Sequence, residues 1–441
     1  MAKKKQVETM NFQIEGGRRL SGAVTLRTAK NSAVGLLCAS LLNKGTTTLR
    51  NMPKIEEVYR IIEVLESIGV SVKWQGSDVV IKRPANISLA KLDLEAAMRT
   101  RSIIMFIGPL IHSLKKFSLP QTGGCKLGSR TVRPHFYALE PFGVKIDVKS
   151  NAFAVTAAKT LKPAEFVLYE SGDTVTENAL MAAALIPGVT TIKLASANYQ
   201  VQDMCFFLEE FGVKIEGIGT TTLTIHGVAE MNADVEYHLS EDPTEGMFFL
   251  AVAAVTGSAI TIERAPIDFL ELELFKLKKM GFRYTITKRY KSANGKTNLV
   301  DIKTKPSTLR ALDEKIAPRP YPGLNIDHLP FFAVIAATAK GQTLIHDWVY
   351  EKRAIYYTEL DRLGADTILA DPHRIYINGP TEWKARELIC PPALRPATIL
   401  LIAMLAAKGE SVLRDVYSIN RGYEDLANRL NKLGARIKTI S

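Results

Sequence analysis

A glycine set between two apolar residues recurs six times along this 441-residue chain, at Gly69, Gly143, Gly212, Gly281, Gly364 and Gly434. The successive intervals are 74, 69, 69, 83 and 70 residues. Each glycine closes an amphipathic stretch, such as 55–68 or 423–433, and opens a strand-like one. The residue after a helix often takes a left-handed conformation, in which a Cβ is strained and glycine is not. Six matched glycines at near-constant spacing therefore predict six copies of one helix-to-strand unit.

A second motif precedes each of these glycines by 23 to 28 residues (Gly45 to Gly69 and Gly341 to Gly364 are examples). It reads Gly45-Thr-Thr-Thr-Leu, Gly188-Val-Thr-Thr-Ile, Gly257-Ser-Ala-Ile-Thr, Gly341-Gln-Thr-Leu-Ile and Gly409-Glu-Ser-Val-Leu, with Lys115 in the glycine's place in the second unit. Before each motif lies a run that is apolar nearly all round: 34–42, 102–111, 179–186, 248–255, 331–339 and 398–407. A helix apolar on every face is a buried helix. One unit thus reads strand, buried helix, strand, amphipathic helix, strand pair, and the fold class is α/β. Asn51 and Pro53 precede the first amphipathic helix, and Arg421-Gly-Tyr-Glu opens the last one. The long interval contains 285–304, rich in Lys, Ser, Asn and Gly, which reads as an extended hairpin loop.

Composition narrows the function classes. The hydrophobic fraction of 46% and charged fraction of 23% are those of a globular chain. Cys38, Cys125, Cys205 and Cys390 are far apart with no Cys-x-x-Cys pair, which disfavours a disulfide framework or zinc ribbon and fits a reducing compartment. The longest apolar run, 397–407, is too short to span a bilayer, and no apolar segment follows the N-terminal Met-Ala-Lys-Lys-Lys-Gln, so a cytoplasmic protein is expected. The net charge of +12 suits acidic partners generally. No nucleic-acid recognition motif accompanies it, and neither nucleic acid nor membrane is expected as a partner.

Charged residues collect where the buried helices should begin: Lys30-Asn31, Arg101, Thr176-Glu177, Asp242 with Glu245, Asp327-His328 and Arg395. Helix N-termini present free N–H groups and partial positive charge, so a ring of them suits anions. Thr176, Glu177, Asp242 and Glu245 read most simply as caps. Cations at such ends oppose the helix dipole and make better sense beside an anionic ligand. Gly123-Gly-Cys-Lys-Leu-Gly-Ser-Arg130 places Cys125 between Lys126 and Arg130 in a glycine-rich loop, where nearby cations would lower the thiol pKa. The other three cysteines sit in apolar contexts and read as core. The run 316–327, rich in Pro and Gly, would hold Asp327 rigidly at a buried helix, as a general base or a cap.

These segments resemble the enolpyruvyl transferases over essentially the whole chain. The resemblance is carried by Ala29-Lys30-Asn31, the stretch 119–130 with Cys125, Pro322-Gly-Leu-Asn-Ile-Asp327, Glu351-Lys-Arg353, Leu394-Arg395 and Ile419-Asn-Arg421-Gly-Tyr-Glu424. It implies an inside-out α/β barrel of two domains, each of three βαβαββ units: 29–239, and 1–28 plus 240–441, with the active site between them. It also implies transfer of the enolpyruvyl group of phosphoenolpyruvate to the 3-hydroxyl of UDP-N-acetylglucosamine, with release of phosphate and no cofactor or metal. That is the first committed step of peptidoglycan precursor synthesis and the target of fosfomycin. The branch acting on shikimate 3-phosphate usually lacks the loop cysteine.

By this resemblance Cys125 protonates the enol methylene, Asp327 is the base, and Lys30, Asn31, Arg130, Arg395 and Arg421 surround phosphoenolpyruvate, with Lys30 and Arg421 also catalytic. Asn31, Arg101, Arg130, Thr131, Val132, Arg133, Pro134, His135, Asp327 and Val349 fall where the UDP-sugar is held. Arg353 and Arg395 move in as the cleft closes. The chain departs from the family pattern in five places. It has Thr131-Val132-Arg133-Pro134 where Pro-Val-Asp-Leu is common, and Ser171-Gly-Asp-Thr-Val-Thr176 where Ser-Val-Gly-Ala-Thr is common. It has Ala393 and Asn420 where carboxylates are usual, and Pro243 where Arg is usual. Another nucleotide or nucleotide-sugar acceptor, or a non-catalytic UDP-sugar-binding paralogue, are the alternative readings.

Overall fold

The computed structural model describes residues 10–121 and 131–440, and of Arg101 the backbone only. All six repeat glycines have positive φ, from 83° at Gly212 to 101° at Gly364. The periodicity thus has the backbone cause read from the sequence. In the second motif Gly188, Gly257, Gly341 and Gly409 are also left-handed, whereas Gly45 is not. A Cβ on Gly45 would lie 2.2 Å from the carbonyl oxygen of Ala233, so there close backbone approach is the constraint.

The described residues form six small sheets. In four of them a leading strand runs parallel to a second, followed by an antiparallel ladder; Glu165–Val167, Gly188–Lys193, Thr222–Gly227 and Lys214–Glu216 are one set. The buried helix Asp173–Ala184 joins its two parallel strands, as a parallel crossover requires. The sheets built on Lys116–Pro120 and Gly341–His346 have three strands each. In the latter, isolated parallel bridges at Arg310–Lys340 and Ile316–Ile345 stand in for the leading strand.

Strand pairing crosses the sequence. Ser21–Thr25 leads the sheet of Ala259–Pro266, and Val235–His238 leads the sheet of Thr46–Arg50. Asn11–Gly16 lies between Gly409–Arg414 and Ile437–Ile440, completing the last unit from the other end of the chain. Two hydrophobic cores result. One runs from Ala33 to Leu239; the other joins Phe12–Leu26 to Met247–Ile437, in numbers 12–26 and 247–437.

The helices Pro243–Thr256, Leu329–Thr338 and Leu394–Ala406 pack on one another at the centre of the second core, buried along almost their whole length. Each fully buried Leu, Ile or Phe there contributes roughly 1.5–3 kcal/mol by leaving water. Cys38 and Cys205 are fully buried and Cys390 nearly so, in agreement with their apolar sequence contexts.

Four local readings are corrected. The segment 285–304 is mostly ladder: Arg283–Lys291 pairs with Asn298–Lys305, and the polar residues occupy the exposed side of an edge strand. The last helix starts at Leu426, not Arg421, because the Tyr423 hydroxyl is held by Arg395 and Gly422 packs against Leu394. The buried run 102–111 is divided into a 3-10 segment, Arg101–Phe106, and a short helix, Ile107–Leu110. The amphipathic stretch of unit five, Ala354–Leu363, is likewise a 3-10 segment.

Gly212 has φ +83° and open space where a Cβ would sit, so only backbone strain opposes a side chain there. Gly212→Ala should destabilise by about 1–2 kcal/mol, and Gly212→Asn by less, in the denaturation midpoint. Equal stability of the Ala variant would contradict the helix-ending role.

Candidate active site

The two chain segments that pass between the cores run side by side. Ala29 N–H donates to the Ser240 carbonyl at 2.8 Å and Asp242 N–H to the Arg27 carbonyl at 2.9 Å, with a bridge from Thr28 to Glu241 between them. Two buried helices begin here, Lys30–Ala39 and Pro243–Thr256. Asp242 serves both. One oxygen accepts from Thr244 N–H at 2.8 Å and Glu245 N–H at 3.3 Å, and the other faces Lys30 N–H at 3.4 Å. The cap read from the sequence is present, and it also aligns the start of the Lys30 helix. The Glu245 carboxylate instead pairs with the buried Arg429.

Asp327 stands two residues before the helix Leu329–Thr338, its N–H bonded to Asn325 Oδ1 at 2.8 Å. Arg395, near the start of Leu394–Ala406, reaches Asp327 Oδ2 with Nη2 at 3.1 Å and the Tyr423 hydroxyl with Nη1 at 2.9 Å. Burial pushes the Asp327 carboxyl up, but Arg395, Arg353 and Lys30 outweigh it and hold its pKa at about 2. The carboxylate is ionised at neutral pH and a poor base while this cation cluster is intact. Below it His328 is wholly buried and paired through Nδ1 with Glu273 at 2.6 Å, and Glu273 also accepts from Asn325 N–H at 3.4 Å.

Arg353 is 1% exposed. Its Nε and Nη2 grip Asp347 at 2.5 and 2.9 Å, and the Tyr357 hydroxyl donates to the same carboxylate at 2.6 Å. A side chain read as moving in on closure is already seated here. Asn31 donates to the Tyr199 hydroxyl at 3.0 Å, and the Tyr199 ring meets Phe269 of the other core edge to face at 5.9 Å. Arg421 Nε lies 3.5 Å from Glu57 Oε2. Val349 is half-buried in the loop after Gly341–His346.

The stretch after the glycine loop splits. Thr131 and Arg133 are exposed, Val132 is half-buried, and Pro134 and His135 are buried. Arg133 opens the helix Arg133–Leu139, with its N–H on Thr131 Oγ1 at 3.2 Å. His135 faces Asn178 Nδ2 at 3.2 Å and the Thr174 hydroxyl at 3.4 Å. Cys125, Lys126 and Arg130 lie outside the described residues, as does the Arg101 side chain.

Thr176 and Glu177, read as caps, are not at a helix end. The helix begins at Asp173, leaving Glu177 in the core, where burial raises its pKa well above the carboxylate range. Asp173 is a buried carboxylate at a helix start that sequence reasoning did not single out. It accepts from Ser196 Oγ, Asn198 Nδ2 and Gln200 Nε2 at 2.5, 3.1 and 2.7 Å. Burial, with Asp327 contributing across the gap, raises its pKa despite these donors. Gly172-Asp173 carried the signal, a turn residue followed by an acid in a first helical turn.

Asn178 and Tyr199 had no sequence signal of their own. Asn178 is buried and ties Gly108 N–H, the Ile104 carbonyl and His135 together. A separate cavity of about 470 Å³, lined by Lys44, Arg83, His112 and Glu230 among others, lies at the helix C-terminal end of the first core and contains none of these residues. Among the described residues no group of three His, Cys, Asp or Glu could hold a metal, and no helix is long and apolar enough to cross a membrane.

A chain of six inside-out α/β units, with cations and carboxylates gathered where two cores meet, defines a family. Residues 14–430 match EPSP synthase (3-phosphoshikimate 1-carboxyvinyltransferase), and the chain belongs to that family of enolpyruvyl transferases. It uses phosphoenolpyruvate and transfers an enolpyruvyl group to an acceptor. Among its relatives, the UDP-N-acetylglucosamine 1-carboxyvinyltransferase of Treponema denticola is 33% identical, covering 97% of this chain and 98% of its own. That of Bacteroides thetaiotaomicron is 33% identical, covering 98% and 100%. Among solved structures, the enolpyruvyl transferase NikO from Streptomyces tendae superposes with a TM-score of 0.85 at 25% identity, covering 98% of this chain and 99% of that one. EPSP synthase from Acinetobacter baumannii, at 21% identity and a TM-score of 0.76 over 98% and 100% of the two chains, shares the fold.

Arg395→Met should raise the titration midpoint of Asp327 from about 2, since it removes the strongest of the groups that lower it. Carboxyl NMR, assigned with Asp327→Asn, reads the shift. The stability that ionised Asp327 contributes, lost only as pH falls towards 2, should then be lost at higher pH. An unmoved midpoint would contradict the electrostatic assignment.

Proposed function

We propose that the acceptor is UDP-N-acetylglucosamine and that the enolpyruvyl group goes to its 3-hydroxyl. The observation that carries this reading is the Arg395–Asp327 pair at two buried-helix starts, with Lys30 and Arg353 near enough to lower the Asp327 pKa. Two relatives with the named activity match at 33% identity over nearly the whole chain, which supports it. We take 29–239 and 1–28 plus 240–441 as domains that close over the substrates and exclude water from the charged intermediate.

In this account the acceptor oxygen attacks C2 of phosphoenolpyruvate, and Cys125 gives a proton to C3. The Cys125 thiolate then takes back a proton from the new methyl group of the resulting tetrahedral ketal as its C–O bond to phosphate breaks, which releases inorganic phosphate and leaves the enol ether. Asp327 takes the acceptor hydroxyl's proton. Its present low pKa makes the order of events important. An incoming phosphate or carboxylate competes with Asp327 for Arg395 and Lys30, and each cation drawn away makes Asp327 more basic. Burial, the opposing influence, then drives its pKa up. Substrate binding thereby switches on the base.

Lys30, Arg130, Arg395 and Arg421 are assigned to phosphoenolpyruvate, for which charge-assisted and bidentate contacts suit carboxylate and phosphate. Asn31, Arg101, Val349 and the stretch 130–135 are assigned to the UDP-sugar. A second reading, another nucleotide or nucleotide sugar, is favoured by one feature: Arg133 is exposed at the start of its helix, where the family pattern has an acid. The likeness to the enolpyruvyl transferase NikO is consistent with either acceptor.

Phosphate release from phosphoenolpyruvate, measured with UDP-N-acetylglucosamine, other UDP-sugars and UMP in turn, separates these readings. Release with the first is expected; release with another acceptor alone would favour the second reading. No release with any would favour a non-catalytic paralogue. Asp327→Asn should slow turnover by roughly 10²–10⁴-fold. Cys125→Ser should also be slow, whereas Cys125→Asp retains a proton donor, keeps some activity and resists fosfomycin. Equal fosfomycin sensitivity of the Asp variant would contradict the role of Cys125.

A further inference from the structure

The four residues 421–424 contact the first core at two matched points. Glu424 Oε2 accepts from Lys54 N–H at 3.0 Å, and Arg421 Nε lies 3.5 Å from Glu57 Oε2. Arg421 and Glu424 are three residues apart, as are Lys54 and Glu57, so the two segments meet in register with opposite donors. Glu57 has a second partner on its own side. Its Oε1 accepts from the Thr100 hydroxyl at 2.8 Å, and Thr100 Oγ1 accepts from Ser102 N–H at 3.2 Å at the start of Arg101–Phe106. On the inner side of 421–424, the Tyr423 hydroxyl holds Arg395, which holds Asp327. A helix's first turn favours an acid, which accounts for the charge of Glu57 in Glu56–Ser67. It does not account for a 9%-exposed carboxylate divided between Thr100 and a cation of the other core.

We propose that Glu57 is a positioning residue for phosphoenolpyruvate. It docks Arg421 as the cores meet, so that the segment 421–424 and the start of Arg101–Phe106 are set by one carboxylate. This rests on the assignment of Arg421 to phosphoenolpyruvate made above. Glu57 touches no substrate in this account; it acts through Arg421.

Glu57→Gln keeps the shape and an acceptor for Thr100 but removes the charge facing Arg421. The KM for phosphoenolpyruvate should rise about fivefold, the factor matching the upper range for a partly exposed ion pair. The KM for the nucleotide-sugar acceptor and the thermal midpoint should stay unchanged, and Glu57→Asp should recover part of the loss. Small-angle scattering should show a larger radius of gyration for Glu57→Gln, a readout independent of turnover. Glu56→Gln, which loses a pairing with Arg60 only, serves as control. An unchanged KM with an active wild-type enzyme overturns the proposal, as does a loss shared equally by both substrates and the thermal midpoint. An unchanged radius of gyration overturns it too. If the wild type releases no phosphate with any acceptor, the functional reading fails instead, and the scattering comparison still decides the docking contact.

Discussion

Asp242 is the residue on which the arrangement of the two cores depends. The chain passes between them twice, and at that crossing the carboxylate caps Pro243–Thr256 while facing the first N–H of Lys30–Ala39. Two helix starts are thereby fixed relative to each other by one side chain. Their partial positive ends make the surroundings favourable to anions. Burial raises the pKa of Asp242, and nearby Arg395 offsets this only in part. The same arginine lowers Asp327, so Asp242 at the crossing and the proposed base share a counter-charge. Geometry at the crossing and proton affinity at the site are coupled through Arg395.

That coupling gives the site a resting state in which its charges satisfy one another. Arg395 serves Asp327 and Tyr423, Arg353 serves Asp347, and Arg421 faces Glu57. Desolvated cations left unpaired would be costly, so the carboxylates stand in for anions until those arrive. Substrate binding in this account is an exchange of partners, and the exchange frees the base.

The fold was legible because its determinants are local and repeated. The helix-ending glycines signal a backbone conformation, and all six adopt it. All-round apolar runs signal burial, and most became buried helices. What failed was decided by distant contacts. Arg421 does not open a helix because Tyr423 is drawn to Arg395, twenty-eight positions away. The segment 285–304 reads as loop by composition, yet its backbone partners at 298–305 make it an edge ladder. At the site, Lys30, Asp327 and Arg395 stood out because charge at the start of an apolar helix is conspicuous. Asp173 did not, since the helix start was placed at Thr176-Glu177, three to four residues late. Glu57 and Tyr199 were invisible for a different reason: their roles come from partners in the other core, and no spacing in the sequence encodes that pairing.

The central claim is that this enolpyruvyl transferase acts on the 3-hydroxyl of UDP-N-acetylglucosamine. Mass and NMR analysis of the purified reaction product tests it most directly. The account predicts the nucleotide sugar carrying an enolpyruvyl ether on the oxygen at carbon 3 of the sugar, formed together with inorganic phosphate. Recovery of unmodified UDP-N-acetylglucosamine from a reaction in which a different acceptor is converted would contradict it.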